Sequence, residues 1–144
     1  MFATNYIAVL VAGVVSMAAG FLWYGPLFGK AWAKEMGWGT MTPEQEAAMK
    51  KQGMKAYPQA FIGSLVTAFV LYHTTLAFSK AMEAGPNVGV AVQVASFVWL
   101  GFIVPMKYGD KLWGGKSLKL FFIDAAYYLV NFCLMASVMV LMYR

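Results

Sequence analysis

The sequence predicts an all-α membrane protein: four transmembrane helices in a bundle, with a short cytoplasmic interfacial helix between helices one and two. Three observations lead there. Of 144 residues, 61% are hydrophobic and 12% charged, whereas a soluble domain carries roughly a quarter charged residues. Four apolar runs are long enough to cross a hydrocarbon core, which needs about 20 residues each. The Lys residues gather in the segments between those runs. The length suits one unit, so residues 1–144 read as a single integral membrane domain.

The first span is expected over residues 6–28. From Tyr6 to Leu22 it carries no charge, and it ends in Trp23-Tyr24-Gly25-Pro26-Leu27-Phe28-Gly29-Lys30-Ala31-Trp32. Aromatic residues followed by the first Lys are how a helix leaves hydrocarbon for the headgroups. Met17-Ala18-Ala19-Gly20 resembles a signal-peptide cleavage site, but no Lys or Arg precedes the run. A secretory signal would have a basic n-region, so the run is expected to stay as a span.

The connector that follows is the longest loop. Thr42-Pro43-Glu44-Gln45 has an N-cap, a Pro at the first helical position and a Gln where a capping box wants it. This predicts a helix over about residues 43–56. Its sparse apolar positions (Ala47, Met49, Met54) and basic ones (Lys50, Lys51, Lys55) suit the membrane surface. Glu44 and Glu46 at its start match the helix dipole. The remaining spans are expected over residues 57–78, 88–106 and 118–143, with short links. Gly114-Gly115-Lys116-Ser117 lacks the first glycine and the strand of a P-loop, and reads as a turn.

Charge sets the expected topology. Lys30, Lys34, Lys50, Lys51 and Lys55 lie between spans one and two, and Lys107, Lys111, Lys116 and Lys119 between spans three and four. The opposite side has Lys80 and Arg144. The positive-inside rule places the Lys-rich loops in the cytoplasm and both chain ends outside. The net charge of +5 therefore points to anionic lipid headgroups rather than nucleic acid. Trp23, Tyr24, Lys30, Trp32, Trp99 and Trp113 are the expected interfacial anchors. Trp23-Tyr24-Gly25 and Trp99-Leu100-Gly101 also echo each other, each followed by Pro, Gly, Lys and Trp. A duplicated two-helix hairpin would produce such an echo.

Each span has a face of small or polar residues. Asn5, Ala8, Ala12, Ser16, Ala19 and Trp23 share one on span one, with Gly20 continuing the stripe. Ala60, Ser64, Thr67 and Thr75 share one on span two, and Gly89, Gln93 and Ser96 one on span three. Lipid tails are as apolar as Leu, so helices associate through close backbone approach and hydrogen bonds. Ala8, Ala12, Ser16, Gly20, Ala60 and Ser64 are accordingly expected at packing seams, within one protomer or between protomers.

Span four carries the candidate polar site. Asp124, Tyr128 and Asn131 lie at i, i+4 and i+7, with Tyr127 beside them and Met135 on the same face. Gln93 is the polar candidate on span three. An ionised Asp at mid-membrane costs roughly 2.5 to 3.5 kcal/mol on insertion scales, so it needs a partner, water or a proton. Two readings stand: an acid paired with Lys116, Lys119, Lys107 or Lys30 and bonded by a Tyr hydroxyl, or a proton- or cation-handling group in a polar cavity. His73 groups with Ile62, Val66, Phe69 and Val70, and is expected at the interface or facing lipid. Cys133 is a lone packing residue, and neither a metal nor a cofactor motif is present. The single His lies in a span, so no extramembrane catalytic triad is expected.

The Trp23–Trp32 motif, the Trp99-Leu100-Gly101-Phe102 segment and the run Leu118-Lys119-Leu120-Phe121-Phe122-Ile123-Asp124-Ala125-Ala126-Tyr127-Tyr128-Leu129 together resemble the DUF1761 family of small bacterial integral membrane proteins. The resemblance implies a four-helix protein of unknown function in the bacterial cytoplasmic (inner) membrane, and gives no residue roles to carry over. The expected function is non-enzymatic: a homo-oligomer, or an accessory subunit of a membrane complex. The alternative is a small oligomeric transporter or channel lined by Asp124, Tyr128 and Asn131.

Overall fold

The computed structural model describes residues 3–143. Helix α1 spans Tyr6–Leu22, and a π-helical turn, Trp23–Leu27, continues it. A short α2 (Gly29–Glu35) and a 3-10 turn (Trp38–Thr40) lead into α3, Pro43–Ala81. Helix α4 (Val88–Val98) passes through a second π turn, Trp99–Ile103, into α5 (Val104–Gly114). Helix α6 spans Leu118–Leu141. Four continuous stretches are long and apolar enough to cross a membrane: Tyr6–Leu27, Pro43–Ala81, Val88–Gly114 and Leu118–Leu141.

The starts follow from side-chain caps. Asn5 accepts the Ala8 N–H, Asn87 the Val90 N–H and Ser117 the Leu120 N–H. Thr42 and Gln45 close a capping box at α3. Gly115 ends α5 in the left-handed region, at φ 65°, where glycine carries no Cβ penalty.

Both π turns sit beside a proline. Pro26 cannot donate to the carbonyl four residues back, and the Phe28 N–H reaches five back, to Trp23, at 2.8 Å. Pro105 follows the second π turn by two residues and leaves the Gly101 carbonyl without its donor. A Cβ on Gly29 would stand 2.5 Å from the Tyr24 carbonyl oxygen, so the first π turn can run on into α2 because residue 29 is glycine.

The connector differs from expectation. No break separates the segment 43–56 from the span: α3 is one helix of 39 residues, about 58 Å long. It runs through Pro58, which forfeits one backbone bond without ending the helix. The segment 43–56 is exposed at nearly every position. The short helix between spans one and two is instead α2.

Helix α6 packs against both α1 and α4, and α3 closes the bundle against α1. The tight core lies towards the end holding Asn5 and Met142. There Ala8, Ala12, Ala68, Ala91, Ala95 and Ala136 bring the backbones together around Met135 and Met139, all at most 1% exposed. Three positions expected on packing faces, Ala60, Gly89 and Gln93, fall outside it. Ala60 is exposed, whereas Ser64, one turn on, is buried and donates to the Phe61 carbonyl and, at 3.4 Å, to that of Gly13. On α4, Gly89 and Gln93 are exposed and Ser96 half-buried; Val90, Ala91, Val94 and Ala95 form the packed face. Helix α4 has two small-residue faces, and the one with methyl groups rather than an amide packs.

Candidate functional site

Towards the Lys-rich end the polar residues of α6 meet α1 and α5. Asp124 lies six residues into α6, about 9 Å along its axis. Its side chain is 17% exposed, and Lys107 Nζ stands 3.7 Å from Oδ2. The Tyr24 hydroxyl donates to Oδ1 at 2.9 Å. Lys107 also reaches Asp110 at 3.4 Å and lies 5.6 Å from the centre of the Tyr128 ring. Lys116, Asp110 and Trp32 join Asp124 around a cavity of about 200 Å³. Of the four Lys candidates, Lys107 is the one within ion-pair distance of Asp124; Lys119 pairs with Glu35 at 3.7 Å, and Lys30 is exposed.

Deeper in the bundle the same face of α6 turns to α1. The Tyr127 hydroxyl donates to the Ser16 carbonyl at 3.5 Å, and its ring lies 5.0 Å from that of Tyr24, tilted by 57°. Gly20 leaves room for it: a Cβ there would stand 3.1 Å from the Tyr127 hydroxyl. Asn131 is buried and donates through Nδ2 to Ser16 Oγ at 3.0 Å, while its Oδ1 finds no partner in the protein. Gln93 is not part of this set.

Three expected anchors point inwards instead. Trp23 Nε1 donates to the Ile123 carbonyl at 3.1 Å, and Trp99 Nε1 to the Ala125 carbonyl at 2.7 Å. Each indole belongs to a π turn, and the two accepting carbonyls flank Asp124 in sequence. The π turns thus present a Trp to α6 from two different helices and fix the rotation of α6 about Asp124. Tyr24 is the third, bonded to the carboxylate. Trp32 packs between Tyr24 and Trp38, with ring centres 5.1 and 4.6 Å away. Trp113, at 90% exposure, and Lys30 face outwards. The echo between Trp23 and Trp99 was the sequence signal for the two clamps; nothing in sequence assigned Lys107 over its neighbours.

At the opposite end, residues 3–5 are tied down. Asn5 Nδ2 donates to the Met142 carbonyl at 3.0 Å. His73 Nδ1 lies 2.8 Å from the Phe69 carbonyl and so carries the proton, leaving Nε2 to accept from the Thr4 hydroxyl at 3.1 Å. His73 is half-buried by these contacts and by Tyr72 rather than facing lipid. Among the described residues, no group of three or more His, Cys, Asp or Glu side chains is placed to hold a metal ion.

The arrangement offers an ion pair, a phenol and a buried amide, all turned between helices. A family model described as "Protein of unknown function (DUF1761)" matches residues 7–140. No curated protein matches the chain, and no solved structure matches it.

Proposed function

We infer that this chain, which belongs to the DUF1761 family of proteins of unknown function, is a non-enzymatic subunit that packs into a homo-oligomer or serves as an accessory part of a larger membrane complex. One observation carries this reading: Asp124, Tyr127 and the Asn131 amide nitrogen of α6 are engaged by other helices of the same chain. Asp124 is taken by Lys107 and Tyr24, and Tyr127 and Asn131 by Ser16. Partners are then left the outer faces, where Ile7, Leu10, Val14, Ile62, Val66 and Phe97 are exposed. Blue-native electrophoresis in mild detergent tests it. A mass above the monomer, or a co-purifying membrane subunit, is expected; a stable monomer with no partner would count heavily against the reading.

We propose a bacterial cytoplasmic membrane location, and the Lys distribution supports an orientation with both chain ends outside. A reporter fused after Arg144 should behave as external, and a cytoplasmic readout would overturn the orientation.

A transporter built from several protomers is the second reading. The buried, unpartnered Oδ1 of Asn131 favours it, because such an atom wants water or an ion. Reconstituted flux unchanged by Asp124→Asn and Asn131→Leu would remove these residues from any pathway.

A further inference from the structure

We propose that a second copy of this chain docks along the outward face of α4, where Gln93 of each copy bonds to Gln93 of the other across a two-fold axis. The proposal rests on the homo-oligomer inferred above and names its interface. Helix α4 packs on α6 and α3, and Val90, Ala91, Val94 and Ala95 are buried on that side. Gln93 stands on the other side and is exposed, and its amide makes no hydrogen bond with a described residue. It lies deep in the span. The two spans run antiparallel, and the Trp99 indole bonds the Ala125 carbonyl of α6. Equal steps from these two residues towards the outer end reach Gln93 on one helix and Asn131 on the other. Helix α6 runs on from Asn131 to Leu141, about 15 Å along its axis. That is half of a hydrocarbon core about 30 Å thick. Lipid tails offer an amide no hydrogen bond there, and leaving one unbonded in hydrocarbon is costly. The half-buried Thr67 and Thr74 of α3 donate to carbonyls of their own helix, those of Gly63 and Val70. Gln93 has no such outlet.

The chemistry selects a second copy. An amide is both donor and acceptor, so one Gln completes another. Copies inserted the same way are related by an axis along the membrane normal. Their α4 helices then run parallel, and residue 93 meets residue 93 at one depth. A foreign helix would need a polar side chain of its own at that depth. The flanking residues fit. Gly89, Gln93 and Ser96 follow a spacing of four and then three, the spacing of one seam in a parallel helix pair. At 100° per residue, Gly89 and Ser96 stand about 40° and 60° from Gln93, on its two turns. Both are small, which lets two backbones approach. A single polar residue in such a seam fixes register and the number of partners.

The test uses the full chain in lipid vesicles, with energy transfer between labelled copies followed across a dilution series. The wild type should dimerise. Gln93→Leu should raise the dissociation constant about tenfold, and Gln93→Asn, which keeps the amide, should recover most of that loss. Leu is as apolar as the lipid, so the loss reads the amide bonds. In a Cys133→Ala background, Gly89→Cys should oxidise to a disulfide dimer with copper-phenanthroline. Ile62→Cys, at a position 61% exposed on α3, should not. A monomer at every dilution overturns the homo-oligomer and its interface together. A dimer indifferent to Gln93→Leu, or one that links through Ile62→Cys and not Gly89→Cys, overturns the interface and leaves the oligomer standing. A Gly89→Cys adduct with a different protein in cell membranes would give this face to a foreign subunit and overturn the second copy.

Discussion

Asp124 is held by groups from two other helices, Lys107 of α5 and Tyr24 of the first π turn. Both charged side chains keep some exposure, 17% and 27%, so the pair lies between the surface and buried limits. A double-mutant cycle of Asp124→Ala and Lys107→Met should give a coupling of about 1 kcal/mol. Asp124→Ala alone should cost about 1–3 kcal/mol. Asp124→Asn should cost less, because it can still accept from Tyr24. Thermal unfolding in detergent reads all three, and zero coupling would show that the pair does not contribute. The sequence already showed an acid near a Lys cluster with Tyr nearby, since the energetic need for a partner is local. It did not show which Tyr: Tyr127 and Tyr128 are neighbours in sequence, yet the donor is Tyr24, 100 residues away. Nor did it show that Trp23 and Trp99 turn inwards. An indole N–H at headgroup depth is satisfied equally by lipid, water or a helix carbonyl, and composition does not distinguish these.

Helix starts were legible where a side-chain cap marks them, as at Thr42, Asn87 and Ser117, but the end of span three was not: the helix runs past residue 106 and the charge of Lys107 to Gly114. Nor was the start of span two. Composition changes near Tyr57 from polar to apolar, which marks a change of solvent, but a helix needs no break to cross one. Spin labels at the exposed positions Ala47 and Ile62 should therefore show one narrow distance distribution centred on the order of 22 Å. A broad or much shorter distribution would mean a hinge near Pro58. Faces were less legible than ends. Reading a face assumes 100° per residue, and each π turn holds an extra residue that rotates the helix beyond it by about that amount. Trp23 and Trp99 stand where this slip begins. On α4, before any slip, polarity chose the wrong side, because in a bilayer a small methyl packs as well as a small polar group.

Across the whole molecule the bundle is closed at one end and splayed at the other. Tight Ala and Met packing fills the half around Ala8, Leu71, Ala91 and Met139. The other half holds the π turns, the Asp124 cluster and an opening between α1 and α3, lined by Met17, Phe21, Tyr57 and Ala60. Hydrogen exchange in micelles should follow this taper. Amides of α3 near Leu71 and of α6 near Met135 should be the slowest, and those of α5 and the first four turns of α3 faster. Uniform protection along α3 would contradict it. That four stretches are apolar enough to cross a membrane could be read from hydropathy. The taper could not, because Gly20 and Ala60 at the open end look as small as Ala12 and Ala68 at the closed one.

Helix α6 touches α1, α3 and α4 and receives both indole bonds. It is also the last of the four to leave the ribosome. The three earlier spans must then wait in the bilayer with their mutual contacts incomplete: Ser16 without Asn131, Tyr24 without its carboxylate, and two indoles without their carbonyls. Assembly is therefore a post-insertion event. The bond from Asn5 to Met142, between the two ends of the described chain, can form when α6 docks and not before.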